Sequence, residues 1–115
     1  MSALTTMFQE LANIEQHRAQ AHAEGQPALQ RLALAARLSS GQARIVGRFL
    51  LGLYDAHSYP FPLSDLRDLD LDLFQDCLAV LRMDYHPVRE IHEYLTDGPE
   101  LFRQLQNRLP PALEE

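Results

Sequence analysis

Histidine and carboxylate side chains at one-turn spacing make metal binding the first chemistry to test in this 115-residue sequence. His86 and Glu90 stand four residues apart, and Glu93 follows on nearly the same helical face. Such side chains can offer a hard, open site to a divalent ion. Acidic residues on the exposed face of a helix N-terminus are also what the helix dipole favours. We therefore interpret these three residues as a solvated face and predict no metal and no cofactor.

Groups for acid–base or nucleophilic catalysis are equally sparse. Four aspartates alternate with leucines in DLRDLDLDL at 65–73, but nothing in the pattern predicts the burial that general acid–base catalysis requires. The single cysteine, Cys77, lies within a helical pattern and is expected to be a small buried hydrophobe. Ser58 and Ser64 lack histidine and acidic partners at any supporting spacing. The sequence predicts a protein that is not an enzyme.

DNA binding is the alternative function, and it depends on two arginines. The segment LALAARLSSGQARIVGRFL resembles the helix-turn-helix of small repressors, so residues 34–51 would read DNA through Arg44 and Arg48. The spacing departs from that pattern by one inserted residue before Gln42, and the reading face soon turns apolar. We keep a small DNA-binding regulator as the alternative and expect nucleic acid not to be the partner.

The composition fits contact with a protein partner better than DNA binding, and two surfaces are candidates for that contact. The first is a loop that concentrates Tyr54, Tyr59 and Phe61 beside two prolines. Rigid aromatic side chains are enriched at protein interfaces. In the competing interpretation, Phe61 and Leu63 plug the end of a helical bundle.

The second candidate surface is an apolar stripe near the N-terminus. Its members follow helical 3-4-3 spacing, with Phe8 on its flank: Leu4, Met7, Phe8, Leu11 and Ile14. The stripe either packs on the chain's own core or joins two copies into a homodimer. Two heptads are too few to form a coiled coil on their own.

The sequence predicts that the elements that position these residues are all helices. The predicted segments are 3–24, 27–38, 41–56, 71–85, 87–96 and 99–108. Gly25 and Pro27 are expected to separate the first two, a serine at 39 or 40 to cap the third, and Asp70 to cap the fourth. Two prolines predict an extended connection over 57–64.

The expected fold is therefore all-α, a compact single-domain bundle of five or six short helices with an extended proline-containing connection in the middle. Residues 1–26 are expected to form an N-terminal helix that serves as an extension or dimerisation arm. Residues 27–109 would form the helical core, and residues 110–115 a flexible tail.

Composition and charge limit the partners and the cellular location that we expect for this chain. The chain is 46% hydrophobic and 23% charged, which is ordinary for a globular domain. Residues 1–54 hold five arginines against three acids, a net +2, whereas residues 55–115 hold five against thirteen, a net −8. The acidic half should repel nucleic acid and anionic membranes. No apolar run is long enough to span a membrane and no signal peptide is evident, so we expect a cytoplasmic protein.

Three segments between Leu29 and Leu95 resemble a family of short, uncharacterised proteobacterial proteins often carried on plasmids and integrative elements. They are SGQARIVGRFLLGLY, FPLSDLRDLDLDLFQDCLAVLRMD and REIHEYL. The resemblance implies a compact helical domain, a bacterial cytoplasm and an accessory role on a mobile element. It brings no functional residues.

Overall fold

A computed structural model describes residues 2–111 and contains four α-helices and two 3₁₀-helices. The α-helices are α1 (Ala3–Ala36), α2 (Gly41–Tyr54), α3 (Leu71–Asp84) and α4 (Gly98–Arg108), and the 3₁₀-helices span Leu63–Asp68 and Ile91–Tyr94. The described residues contain no strand, and residues 55–62 form the non-helical connection with its two prolines. The predicted all-α single domain is confirmed. Residues 112–115 of the predicted tail lie outside the described residues.

The predicted break between the first two helices is wrong, because α1 runs without interruption through Gly25 and Pro27. A Cβ atom at Gly25 would lie 2.5 Å from the Cβ of Met83, so this glycine lets α3 pack directly on the α1 backbone. Pro27 is exposed and removes one helical hydrogen bond, the one to the Ala23 carbonyl. Burial of the following turn against α3 offsets that loss, because most helical stability comes from tertiary packing.

An ion pair fixes the register of α1 against α3. The Arg31 guanidinium donates from Nε and Nη2 to the Asp76 carboxylate, with N–O distances of 2.9–3.2 Å. Asp76 is buried, and its hydrogen bond and then its charge raise the pKa of Arg31. Gly25 faces Met83 while Arg31 faces Asp76, so the two helices run antiparallel.

Helix α2 lies at the centre and begins as predicted. The Ser40 hydroxyl accepts a hydrogen bond from the Ala43 amide at 3.0 Å, which caps the helix. Gly47 faces the side chains of Leu105 and Leu109, so α4 approaches the α2 backbone closely there. The largest fully buried side chains of α2 are Val46, Leu50 and Leu51.

Helix α3 also begins at its predicted cap, where the Asp70 carboxylate accepts from the Leu73 amide at 2.9 Å. Apolar residues at helical spacing over 71–85 predict a buried face that includes Leu71, Leu81 and Tyr85, but all three are exposed. The face that α1 covers instead holds Asp76, Cys77, Val80 and Met83.

The predicted helix over 87–96 is wrong, since only Ile91–Tyr94 forms a 3₁₀ turn. The Tyr94 hydroxyl accepts hydrogen bonds from the amides of Val88 and Arg89, at 3.2 and 3.3 Å. A side chain thus satisfies the amides that a helix start would leave unpaired.

Among residues 2–111, no helix combines the length and the apolar character needed to cross a bilayer.

We expect Gly25→Ala to destabilise the fold by about 1–3 kcal/mol, because the added methyl group overlaps Met83 in a packed core. Gly41→Ala is the matched control, since a Cβ there meets nothing within 4 Å. It should be neutral or stabilise by up to about 1 kcal/mol. Urea unfolding followed by circular dichroism measures both, and equal stabilities for the two variants would contradict the close approach.

Candidate functional site

The first half of α1 projects from the rest of the protein as a helical arm, residues 3–20. Every residue of the arm is exposed, and contact with the body is established by His22, whose Nε2 lies 2.9 Å from the His86 carbonyl oxygen. Eighteen helical residues extend about 27 Å. The arm gives the molecule a length of 57 Å and a radius of gyration of 16.5 Å, against about 13 Å expected of a compact chain this long.

The arm carries the predicted apolar stripe, and none of it packs on the chain's own body. Its side chains are 47–63% exposed: Leu4, Met7, Phe8, Leu11 and Ile14. By helical geometry, the stripe lies on the same face of α1 as Gly25, Leu29 and Leu32, which are buried under α3. Helix α3 therefore covers only the C-terminal part of one continuous face.

A groove lies at the base of the arm, beside the face that passes under α3. It encloses about 710 Å³ between α1 and the C-terminal half of α3. Leu78, Leu81 and Tyr85 lie on the α3 wall, and the α1 wall is formed by His17, Gln20, Ala21 and Glu24. By helical geometry this α1 wall is centred about a third of a turn away from the stripe, and Ala21 is its nearest residue. Tyr85 is 79% exposed although its spacing predicted a core position. Sequence reasoning missed these wall residues, because spacing alone does not show where a neighbouring helix stops.

The aromatic loop is folded onto the body. Phe61 packs edge-on against Phe49, with 5.7 Å between ring centroids, and Tyr54 lies 5.1 Å from Phe102. Tyr59 is half-buried against the core. Leu63, the other residue of the predicted plug, is exposed. The loop therefore offers much less free aromatic surface than its composition suggests.

The two arginines of the DNA-binding alternative are exposed beside a groove of about 370 Å³. Arg108 also lines this groove, but its guanidinium donates to the carbonyls of Ala36 and Leu38. Leu51 is fully buried. Helix α2 thus presents Arg44 and Arg48 to solvent without a continuous base-reading face.

The residues considered for metal binding do not share a helical face. His86 and Glu90 flank a non-helical segment, and the Glu93 carboxylate accepts from the Glu90 amide at 2.9 Å. Within residues 2–111, no three histidine, cysteine or acidic side chains lie together in a metal-ligating arrangement.

Cys77 is fully buried, as its position in the helical pattern predicts. Burial, and then the charge of Asp76, raise the pKa of its thiol to about 12. A thiol with that pKa stays protonated near pH 7, and the thiolate is the nucleophilic form. Cys77 therefore acts as a core side chain.

Residues 26–109 match the model of a family of unknown function, DUF7673. The chain belongs to this family. The match confirms the uncharacterised domain that the three sequence segments suggested, and it extends further toward both termini than they do. No curated protein and no solved structure matches the chain. The arm lies outside the part of the chain that the DUF7673 family model covers.

Asp84 is half-buried in the last turn of α3. Its carboxylate makes the stability of this end of the helix depend on pH. Burial, and then the charge of Glu90, raise its pKa. A carboxylate whose pKa is higher in the folded chain disfavours folding once it ionises. We expect Asp84→Asn to raise the Tm at pH 7 by about 1–3 °C, a small gain because solvent screens the group.

That gain should shrink as the pH falls through the raised pKa and vanish below the unfolded value of about 3.9. The control is Asp72→Asn in the first turn of α3, where a negative charge is favourable and its loss should lower the Tm. Thermal unfolding between pH 7 and pH 4 measures both variants. An Asp84→Asn variant no more stable than the parent at pH 7 would contradict the expectation.

Proposed function

We propose that this protein is a non-enzymatic interaction module that acts by binding protein through the apolar stripe of its arm. One observation carries the proposal, namely that five large apolar side chains on one helical face have no cover from their own chain. A helical segment without tertiary contacts is only marginally stable in water. A partner that buries the stripe supplies the packing that the arm lacks.

The size of the stripe supports the same function. Five side chains about half exposed present roughly 500 Å² of apolar surface, within the range of about 300–600 Å² found for the largest, often functional, patch of a monomer. The charge of the surroundings supports it too. Glu10 and Glu15 flank the stripe and Arg18 follows at its C-terminal end, which is typical of a polar rim around an apolar contact.

The proposed setting is a bacterial cytoplasm, where the protein serves a mobile genetic element. Support for this setting comes from the resemblance of the three sequence segments between Leu29 and Leu95. The DUF7673 family match itself is silent on setting, partner and activity.

The DNA-binding alternative has less support. Two exposed arginines supply few phosphate contacts, whereas a repressor of this kind makes several. Thirteen acids in residues 55–115 oppose binding of a polyanion. A mobility shift of duplex DNA that disappears in Arg44→Gln/Arg48→Gln and weakens with salt would favour this alternative.

Site-specific photo-crosslinking in bacterial cells tests the proposed function. A photoreactive phenylalanine analogue at Leu11 should form adducts on irradiation, because this position lies in the middle of the stripe. The same analogue at Asn13, on the polar face of the arm, should form few or none. Mass spectrometry of the adducts identifies what the stripe contacts.

The comparison of the two positions makes the outcome decisive. Adducts specific to Leu11 support contact through the stripe, whether the product contains another protein or a second copy of this chain. The absence of protein adducts at Leu11, or equal adducts at both positions, would contradict the proposal.

A further inference from the structure

We propose that the partner of the arm is a second copy of this chain, bound antiparallel along the stripe, so that the tip of each arm reaches the edge of the groove at the base of the other. This inference rests on the proposed function and names its partner. The tip carries Leu4 and Met7, and the edge of the groove that it meets is formed by Ala21.

The dimensions of the arm fit this arrangement. Leu4 and Ala21 are seventeen residues apart, about 26 Å along the helix. Two arms that overlap fully in opposite directions place Leu4 of one beside Ala21 of the other, at the mouth of the groove. A longer overlap is blocked, because α3 already covers the face from Gly25 onward.

In this register the apolar residues of one stripe face those of the other. Its residues occupy alternate three- and four-residue steps, which are the core positions of an antiparallel helix pair. Leu11 faces Ile14 of the second copy, near the two-fold axis. Met7 faces Arg18, whose aliphatic stem packs while the guanidinium reaches solvent.

Charge favours this antiparallel register over the other ways in which two arms could pair. In the antiparallel pair, Glu10 lies beside His17 of the second copy, where the imidazole can donate to the carboxylate. A parallel pair would instead place Glu10 beside Glu15 and bring the two Arg18 side chains together at the seam. An antiparallel pair shortened by one heptad would oppose the two Glu10 side chains and leave the groove open.

The two stripes supply most of the area that a pair can bury. Together they expose roughly 1,000 Å² of apolar surface, and their polar flanks add to it. This area is comparable with the lower end of the range of about 1,200–2,000 Å² typical of specific protein complexes. Each copy contributes the same stripe, so the contact is closed and two-fold symmetric.

Sedimentation equilibrium of the full chain tests the second copy as the partner. Over about 1–100 µM, the mass should rise from the 13.1 kDa of one chain toward twice that value. We expect Leu11→Glu to weaken the association at least about tenfold, because each dimer then buries two charges. Asn13→Glu adds the same charge to the outer face and should leave the association unchanged.

Both variants should keep the unfolding midpoint of the body, because both residues are exposed in the single chain. A single-chain mass at every concentration would overturn the inference. Adducts at Leu11 that contain a different protein would then still uphold the proposed function, so the two failures are distinguishable.

Disulfide trapping tests direction and register. Three single variants are mixed in pairs under oxidising conditions: Met7→Cys, Leu11→Cys and Ile14→Cys. Cys77 can remain, because it is buried and its thiol pKa is about 12. The antiparallel register predicts that Leu11→Cys joins Ile14→Cys faster than either joins itself. Homodisulfides alone, or preferential pairing of Leu11→Cys with Met7→Cys, would overturn the arrangement.

Discussion

The close approach of α1 and α3 at Gly25 is the constraint on which the rest of the structure depends. Contact of the Met83 side chain with the bare α1 backbone sets where α3 ends against α1. The Arg31–Asp76 ion pair fixes the same register two turns further on. Because α3 has only fourteen residues and α1 has thirty-four, this register leaves the N-terminal half of α1 without cover. The arm is therefore a product of the core packing as much as of its own sequence.

Much of the fold could be predicted, because its signals are local. Ser40 and Asp70 cap the helices that they were expected to cap, and both caps act within three residues of the chain. The two errors arise from contacts that residue patterns do not show. Gly25 and Pro27 are helix breakers by propensity, but packing on α3 overrides that propensity. In the segment at 87–96, the Tyr94 hydroxyl binds the amides of Val88 and Arg89, a contact that the apolar spacing does not indicate.

The candidate site was predictable in part. The spacing of Leu4 and Leu11 identified an apolar helical stripe, whereas its exposure depends on where α3 stops, which no local pattern encodes. Leu81 and Tyr85 were assigned to the core for the same reason. The aromatic loop shows the opposite error. Phe61 has the residue type of an interface side chain, but it packs against Phe49 within the body.

Pro27 has a consequence for how the molecule unwinds. A proline has no amide hydrogen, so the Ala23 carbonyl lacks its helical donor, and this gap lies in the turn that holds Gly25. Packing of Gly25 on Met83 supports the turn that the missing hydrogen bond weakens. Fraying that starts at the N-terminus can run through the uncovered arm and stops at this packed turn. The arm can thus melt and re-form as a separate cooperative unit while the globular part stays folded.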